Sequence, residues 1–192
     1  MISKKIFLLL FFVGPMMAIR THAELTNFEL KNVMIHGESN LSDFWLKYAG
    51  HIKLNLFENK IPADSSQTDQ VFELPINEFD AQNNQIKRNF KQLVRADEFP
   101  SIFIQFKEEF CKSEEHIEKH KKGYVQIQIG GIKRLVEVQC QAEKVSKTER
   151  LYKGLASIKL TDFGLIPPNK FFGLVQVKDT ILITFEVLVR SS

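Results

Sequence analysis

The side chains best suited to chemistry cluster in one charged stretch, "KEEFCKSEEHIEKHKKG", residues 107–123. His116 and His120 are four apart, with Glu114, Glu115 and Glu118 beside them. On a helix that spacing would align two imidazoles on one face, a possible zinc or copper pair. So dense a charge run reads more simply as a solvated loop or the end of a protruding hairpin. No metal is therefore assigned. His36 and His51 stand alone and suit structural or surface roles. Asp43, Asp64, Asp69 and Asp80 fall near turns, where carboxylates bond to nearby backbone. The sequence has no GxSxG, HExxH, CxxC or GxGxxG. Neither an enzyme nor a cofactor is expected from it.

The N-terminus sets the compartment in which these residues would work. "MISKKIFLLLFFVGPMMAIRTHA" places Lys4 and Lys5 before an apolar run, Ile6 to Val13. Gly14-Pro15 and the small residues Thr21 and Ala23 follow. This is the pattern of a secretory signal peptide cleaved after Ala23, leaving one domain from residue 24 to 192. The run is too short to span a bilayer, and no cysteine near the cleavage point provides a lipid anchor. The expected location is periplasmic or secreted. Losing Lys4, Lys5 and Arg20 also changes the charge: 26 basic residues against 23 acidic become 23 against 23. A neutral chain gives no electrostatic reason to bind nucleic acid.

An oxidising compartment favours a disulfide between Cys111 and Cys140. Strand parity points the other way. Cys140 shares a face with Val136 and Val138, whereas Cys111 is out of phase with Ile102, Ile104 and Phe106. The sequence leaves the two outcomes open.

The elements around these residues read mainly as strands. "HIKLNLF", "VFELPI" and "SIFIQF" alternate apolar and polar residues. "VQIQIGGIKRLVEVQCQA" is two alternating runs joined by Gly130-Gly131, the signature of a tight hairpin. "TILITFEVLV" closes the chain with Ile181, Ile183, Phe185, Val187 and Val189 on one face. Period two with one polar face implies antiparallel sheet wet on one side. In "NNQIKRNFKQLVRADEFP", Ile86, Phe90, Leu93 and Val94 recur at helical spacing up to Pro100, which predicts one amphipathic helix. About eight strands and a helix suggest a barrel or a sandwich.

Phenylalanine dominates the aromatic residues: 17, against one Trp and three Tyr. Phe supplies apolar area with no polar handle, for a packed core or for a cavity wall. In "TDFGLIPPNKFFGLVQVKD" the rings sit among breakers. Phe163 is expected to fold inward at a turn, Pro167-Pro168 to form a rigid connection, and Phe171 and Phe172 to lie at a barrel end.

Several stretches resemble one family in order and spacing. "IHGESNLSDFWLKYAG" is similar to its opening strand with a Gly-x-Ser-Asn turn. "ELPINEFDAQNNQIKRNFKQLVRADEFPSIFIQF" resembles its strand–helix–strand segment. "IQIGGIKRLVEVQC" resembles its Gly-turn hairpin, and "LTDFGLIPPNKFFGLVQVKDTILITFEVLV" its Asp-Phe-Gly turn and closing strand. Together they cover about Phe28 to Val189 and make the chain resemble YceI-like proteins. That resemblance implies an all-β fold with one short helix: an eight-stranded antiparallel lipocalin-like β-barrel. It also implies a long apolar amphiphile, a polyisoprenoid lipid or an isoprenoid quinone, held along the barrel axis, with transient membrane contact possible.

Inward parity then nominates cavity residues on the strands and helix: Phe44, Leu74, Ile76, Phe90, Leu93 and Ile104. Phe106, Ile127, Phe163, Phe171, Phe172 and Phe185 complete the set. The competing expectation is a ligand-free envelope or stress-response module whose barrel is filled by its own side chains.

Overall fold

A computed structural model describes residues 27–50, 53–55, 70–106, 121–170 and 175–190. The strands are β1 (Asn27–Ser39), β2 (Asp43–Tyr48), β3 (Lys53–Asn55), β4 (Gln70–Pro75), β5 (Phe79–Ala81), β6 (Ser101–Phe106), β7 (Lys121–Ile129), β8 (Ile132–Lys144), β9 (Glu149–Lys159), β10 (Asn169–Lys170) and β11 (Val175–Arg190). One helix, α1 (Asn84–Leu93), interrupts them. The hydrogen-bonded order is β3-β4-β6-β7-β8-β9-β11-β1-β2-β5, every pair antiparallel, with β10 paired to β11.

The two ends of that order are joined by register and by the chain itself. β4 and β5 are two halves of one bent stretch. β4 pairs with β6, and β5 pairs with β2. Across the same seam, Tyr48 faces Phe79 and Lys53 faces Glu73. The steps between those pairs are five residues on one side and six on the other. β2–β3 and β4–β5 are therefore one long hairpin pair with a single extra residue. The sheet is a nearly closed antiparallel barrel, as the expected fold requires.

The interruption has a local cause. Pro75 has no N–H to give the ladder, and a single 3₁₀ turn, Ile76–Glu78, follows it. The freed backbone groups find other partners: Ile76 N–H donates to the Pro100 carbonyl at 2.8 Å, and Ala49 N–H to the Glu78 carbonyl at 2.9 Å. The Tyr48 hydroxyl donates to the Glu78 carboxylate at 2.6 Å. Burial, then this carboxylate, raise its pKa well above the ordinary tyrosine value.

Alternation puts the apolar residues inside. Val33, Ile35, Leu74, Ile104, Phe106, Ile127, Ile158, Phe185 and Val187 are all buried. In β1, Leu30 and Val33 are three apart and should face opposite sides. A bulge between Leu30 and Asn32 resets the register, so both are buried. Gly130 and Gly131, with φ of 55° and 81°, make the two-residue hairpin turn that their types predict.

One expectation needs correction. The helix does not run on towards Pro100; it ends at Leu93, with Val94 as its C-cap. Arg95 adopts the left-handed region, φ 55°, rare for a side chain of its size. It is held there by a hydrogen bond to the Gly130 carbonyl and by stacking 4.8 Å above the Phe99 ring. Of the charged 107–123 stretch, Lys121–Gly123 belong to β7. Residues 107–120, with His116, His120 and Cys111, lie outside the described part. The signal segment does too. Cys140 is buried on the inner face and forms no disulfide among the described residues. Burial pushes its thiol pKa up to about 12.

Two cross-strand pairs set a large ring against a glycine. Gly154 pairs with Phe185, and a Cβ on Gly154 would lie 2.2 Å from that ring. Gly154→Val should therefore lower stability by about 1–3 kcal/mol through overpacking. Denaturant unfolding checks this, and Phe185→Leu in the same chain should recover part of the loss. No loss in the single variant would contradict the packing.

Candidate functional site

The barrel interior divides into a ring-filled half and a hollow half. Along the strands away from α1, Phe72, Phe106 and Phe185 stack edge-to-face, with centroids 5.6 and 5.2 Å apart. All three are nearly inaccessible. A second series, Tyr48–Phe79–Phe90, runs at 5.1 and 5.3 Å and reaches the helix. Edge-to-face pairs add about 0.5–1.5 kcal/mol each beyond area burial.

Under α1, at the end of the barrel that carries the β1–β2 and β7–β8 turns, lies a cavity of about 200 Å³. The helix starts where the Asn83 side chain caps its first turn, accepting from Ile86 N–H at 2.9 Å. Phe90 and Val94 are buried, and Ile86 and Leu93 are half-buried against the core. Lys87 ties the helix to Asp80 at 3.0 Å. Ile86, Phe90 and Leu93 form the roof, Ile35, Phe44 and Leu46 one wall, and Ile102 and Ile129 another. The remaining side is closed by Leu160, Leu165, Pro168, Val177 and Ile181.

Among the described residues, the polar ones lining this cavity are Ser39, Ser42 and Asn89, and none of the lining residues is charged. So largely apolar a lining favours an apolar guest. The Gly-x-Ser-Asn motif builds its rim. Gly37 leaves room for Phe44, whose ring would be 2.3 Å from a Cβ there. Ser39 closes the turn, its hydroxyl donating to the Ser42 carbonyl at 2.8 Å and accepting from Ser42 N–H at 3.1 Å. The Asn40 side chain accepts from Gln176 N–H at 2.8 Å and pins the turn to β11.

The Asp-Phe-Gly segment builds the opposite rim. Leu160–Phe163 is a 3₁₀ turn ended by Gly164 at φ 66°. The Asp179 carboxylate accepts from Thr161 N–H at 2.9 Å and from the Thr161 hydroxyl at 2.7 Å. These bonds hold Asp179 below its ordinary pKa. Phe163 folds inward and is buried.

Of the nominated residues, Phe44, Phe90 and Leu93 line the cavity. Leu74, Ile76, Ile104, Phe106, Ile127, Phe163 and Phe185 are buried in the barrel but are not among its lining residues. Phe171 and Phe172 lie outside the described residues, between the two strands of the β10–β11 hairpin. Sequence reasoning misses Ser39, Ser42, Asn89, Leu165 and Val177. The serines carried a signal in their turn motif. Nothing in the helical pattern distinguishes Asn89 from a solvated position. Among the described residues no cluster of three potential metal ligands occurs, and no helix is long and apolar enough to cross a membrane.

Fold and site together define an antiparallel lipocalin-like barrel with an apolar cavity under a helical cap. No protein-family model matches the chain, and no curated protein matches it in sequence. Solved structures do. A polyisoprenoid-binding domain from Saccharophagus degradans, implicated in plant cell wall breakdown, superposes with a TM-score of 0.59 at 8% identity, over 86% of this chain and 98% of that one. BcnA of Burkholderia cenocepacia gives 0.58 at 12% identity, over 83% and 99%. A YceI protein of Campylobacter jejuni gives 0.51 at 14% identity, over 86% and 84%. The YceI-like resemblance is therefore borne out in the fold.

Two measurements follow from this division. Phe106→Ala should cost about 3–5 kcal/mol in denaturant unfolding, as for a ring removed from a packed core, while half-buried Phe44→Ala costs less. Equal costs would contradict the division. Because the folded pKa of Asp179 is depressed, the Thr161 clasp is complete at neutral pH and is lost as pH falls through the lowered value. Asp179→Asn should speed exchange of the Thr161 amide at neutral pH. Unchanged exchange would show that the clasp does not hold the rim.

Proposed function

We propose that this is a YceI-like binding protein that carries an isoprenoid-type lipid by its apolar part, inside the barrel beneath α1. The observation that carries this reading is the cavity itself, whose described lining is mainly apolar with three uncharged polar residues. Affinity there comes from buried area, about 0.8 kcal/mol per methylene. No directed chemistry is needed, and the reading is one of binding rather than catalysis. The likeness to a polyisoprenoid-binding domain supports the same class of ligand. An isoprenoid quinone belongs to that class.

The work is placed outside the cytoplasm, in the periplasm or beyond, on the strength of the signal-like N-terminus. A water-filled compartment is where an insoluble tail needs a protein cover. Transient membrane contact is supported by two exposed side chains at the mouth. Leu41, between Ser39 and Ser42, is 70% exposed, and Ile166, between Leu165 and Pro168, is 84% exposed. The ring-filled half favours the competing reading, a ligand-free interaction module.

Native mass spectrometry of protein purified from its own envelope separates the two. The carrier reading expects an extractable prenyl lipid, or uptake of added quinone by the stripped protein. A bare mass with no uptake would leave the ligand-free module.

A further inference from the structure

We infer that the cavity takes a short apolar group with an uncharged polar head, about eight carbons of a prenyl chain or a ring of similar size, and not a long polyprenyl tail or a phosphorylated one. This rests on the binding function proposed above and narrows its ligand. Three observations carry it.

The first is volume. A cavity of about 150 Å³ holds one benzene ring. The space under α1 is about 200 Å³, which on that scale admits roughly eight carbons.

The second is what lies beyond it. The strands continue past the cavity, but their inner faces carry Phe72, Phe106 and Phe185 in mutual edge-to-face contact, 1%, 1% and 2% exposed. A tail passing down the axis would have to displace that stack. Glycine at 154 keeps Phe185 seated flat against β9. The rings therefore act as a floor, and a longer tail has to return through the mouth into water.

The third is the lining. Among the described residues its polar ones are Ser39, Ser42 and Asn89, and no Lys or Arg lines it. The Ser39 hydroxyl and the Leu41 and Ser42 amides are engaged in closing their own turn. Such a rim can exchange a hydrogen bond with a hydroxyl or a quinone carbonyl. It offers no cation to a phosphate, whose desolvation would go uncompensated.

The test is isothermal titration of the delipidated protein with geraniol, farnesol, geranylgeraniol and solanesol, and with geranyl and farnesyl phosphate. Inside the cavity each further buried methylene should raise affinity roughly fourfold. The gain should stop between geraniol and farnesol, and each phosphate should bind at least tenfold more weakly than its alcohol. Val177→Phe, a half-buried position on the cavity wall, should abolish binding of the alcohols without lowering the melting temperature.

Affinity that keeps rising to solanesol, or phosphates that bind best, would overturn the inference and leave the carrier function standing. Wild-type binding that Val177→Phe leaves unchanged would put the ligand outside this cavity and also overturn it. No binding by any probe, with native mass spectrometry also bare, would remove the carrier function and the inference together.

Discussion

The barrel depends on one bent stretch, Gln70–Ala81, pairing with β6 along its first half and with β2 along its second. Without that double pairing, the strand order would be an open sheet with two free edges. Free edges recruit further strands, and closure removes them. Closure also sets the interior diameter, because the number of strands fixes how much side chain the inside can hold. The bend at Pro75 opens the ladder at one place. The Pro100 carbonyl and the Ala49 amide satisfy the freed groups, so the bend leaves those two backbone groups paired.

Within that fixed diameter, glycine and phenylalanine share the work of filling. Gly154 opposite Phe185 makes room for a ring across the far half of the barrel. Gly37 opposite Phe44 does the same at the mouth. The surroundings separate the two cases. Phe185 meets Phe106, which meets Phe72, and the space is used up. Phe44 faces helix α1 across the hollow instead. Lys87 and Arg95 tie the helix to Asp80 and to the Gly130 carbonyl. A cavity survives where the roof is held up by polar ties and the floor by stacked rings.

Much of this was legible in the sequence, for physical reasons that also mark where it stopped. Alternation in "VQIQIGGIKRLVEVQCQA" and "TILITFEVLV" reports side-chain parity directly, so those strands and their inward faces follow. β9 is hidden because two of its inward residues, Gly154 and Ala156, are small. β1 is blurred because Leu30 and Val33 are out of phase until the bulge mends them. The helix end at Arg95 has no residue cue, since the cause is a contact with a hairpin 35 residues on. Parity also treats Phe44 and Phe106 alike. One borders a hollow and the other a packed stack, and that difference lies in three-dimensional neighbours that no spacing encodes.

The central claim is that the interior is hollow under α1 and closed by rings beyond it. Xenon enters dry apolar cavities and is visible to X-rays, so a crystal pressurised with the gas reads the distribution of empty space directly. The account predicts xenon density bounded by Phe44, Leu93 and Ile181, with none between Phe72, Phe106 and Phe185. Xenon extending down the axis through those three rings, or absent beneath the helix, would contradict it.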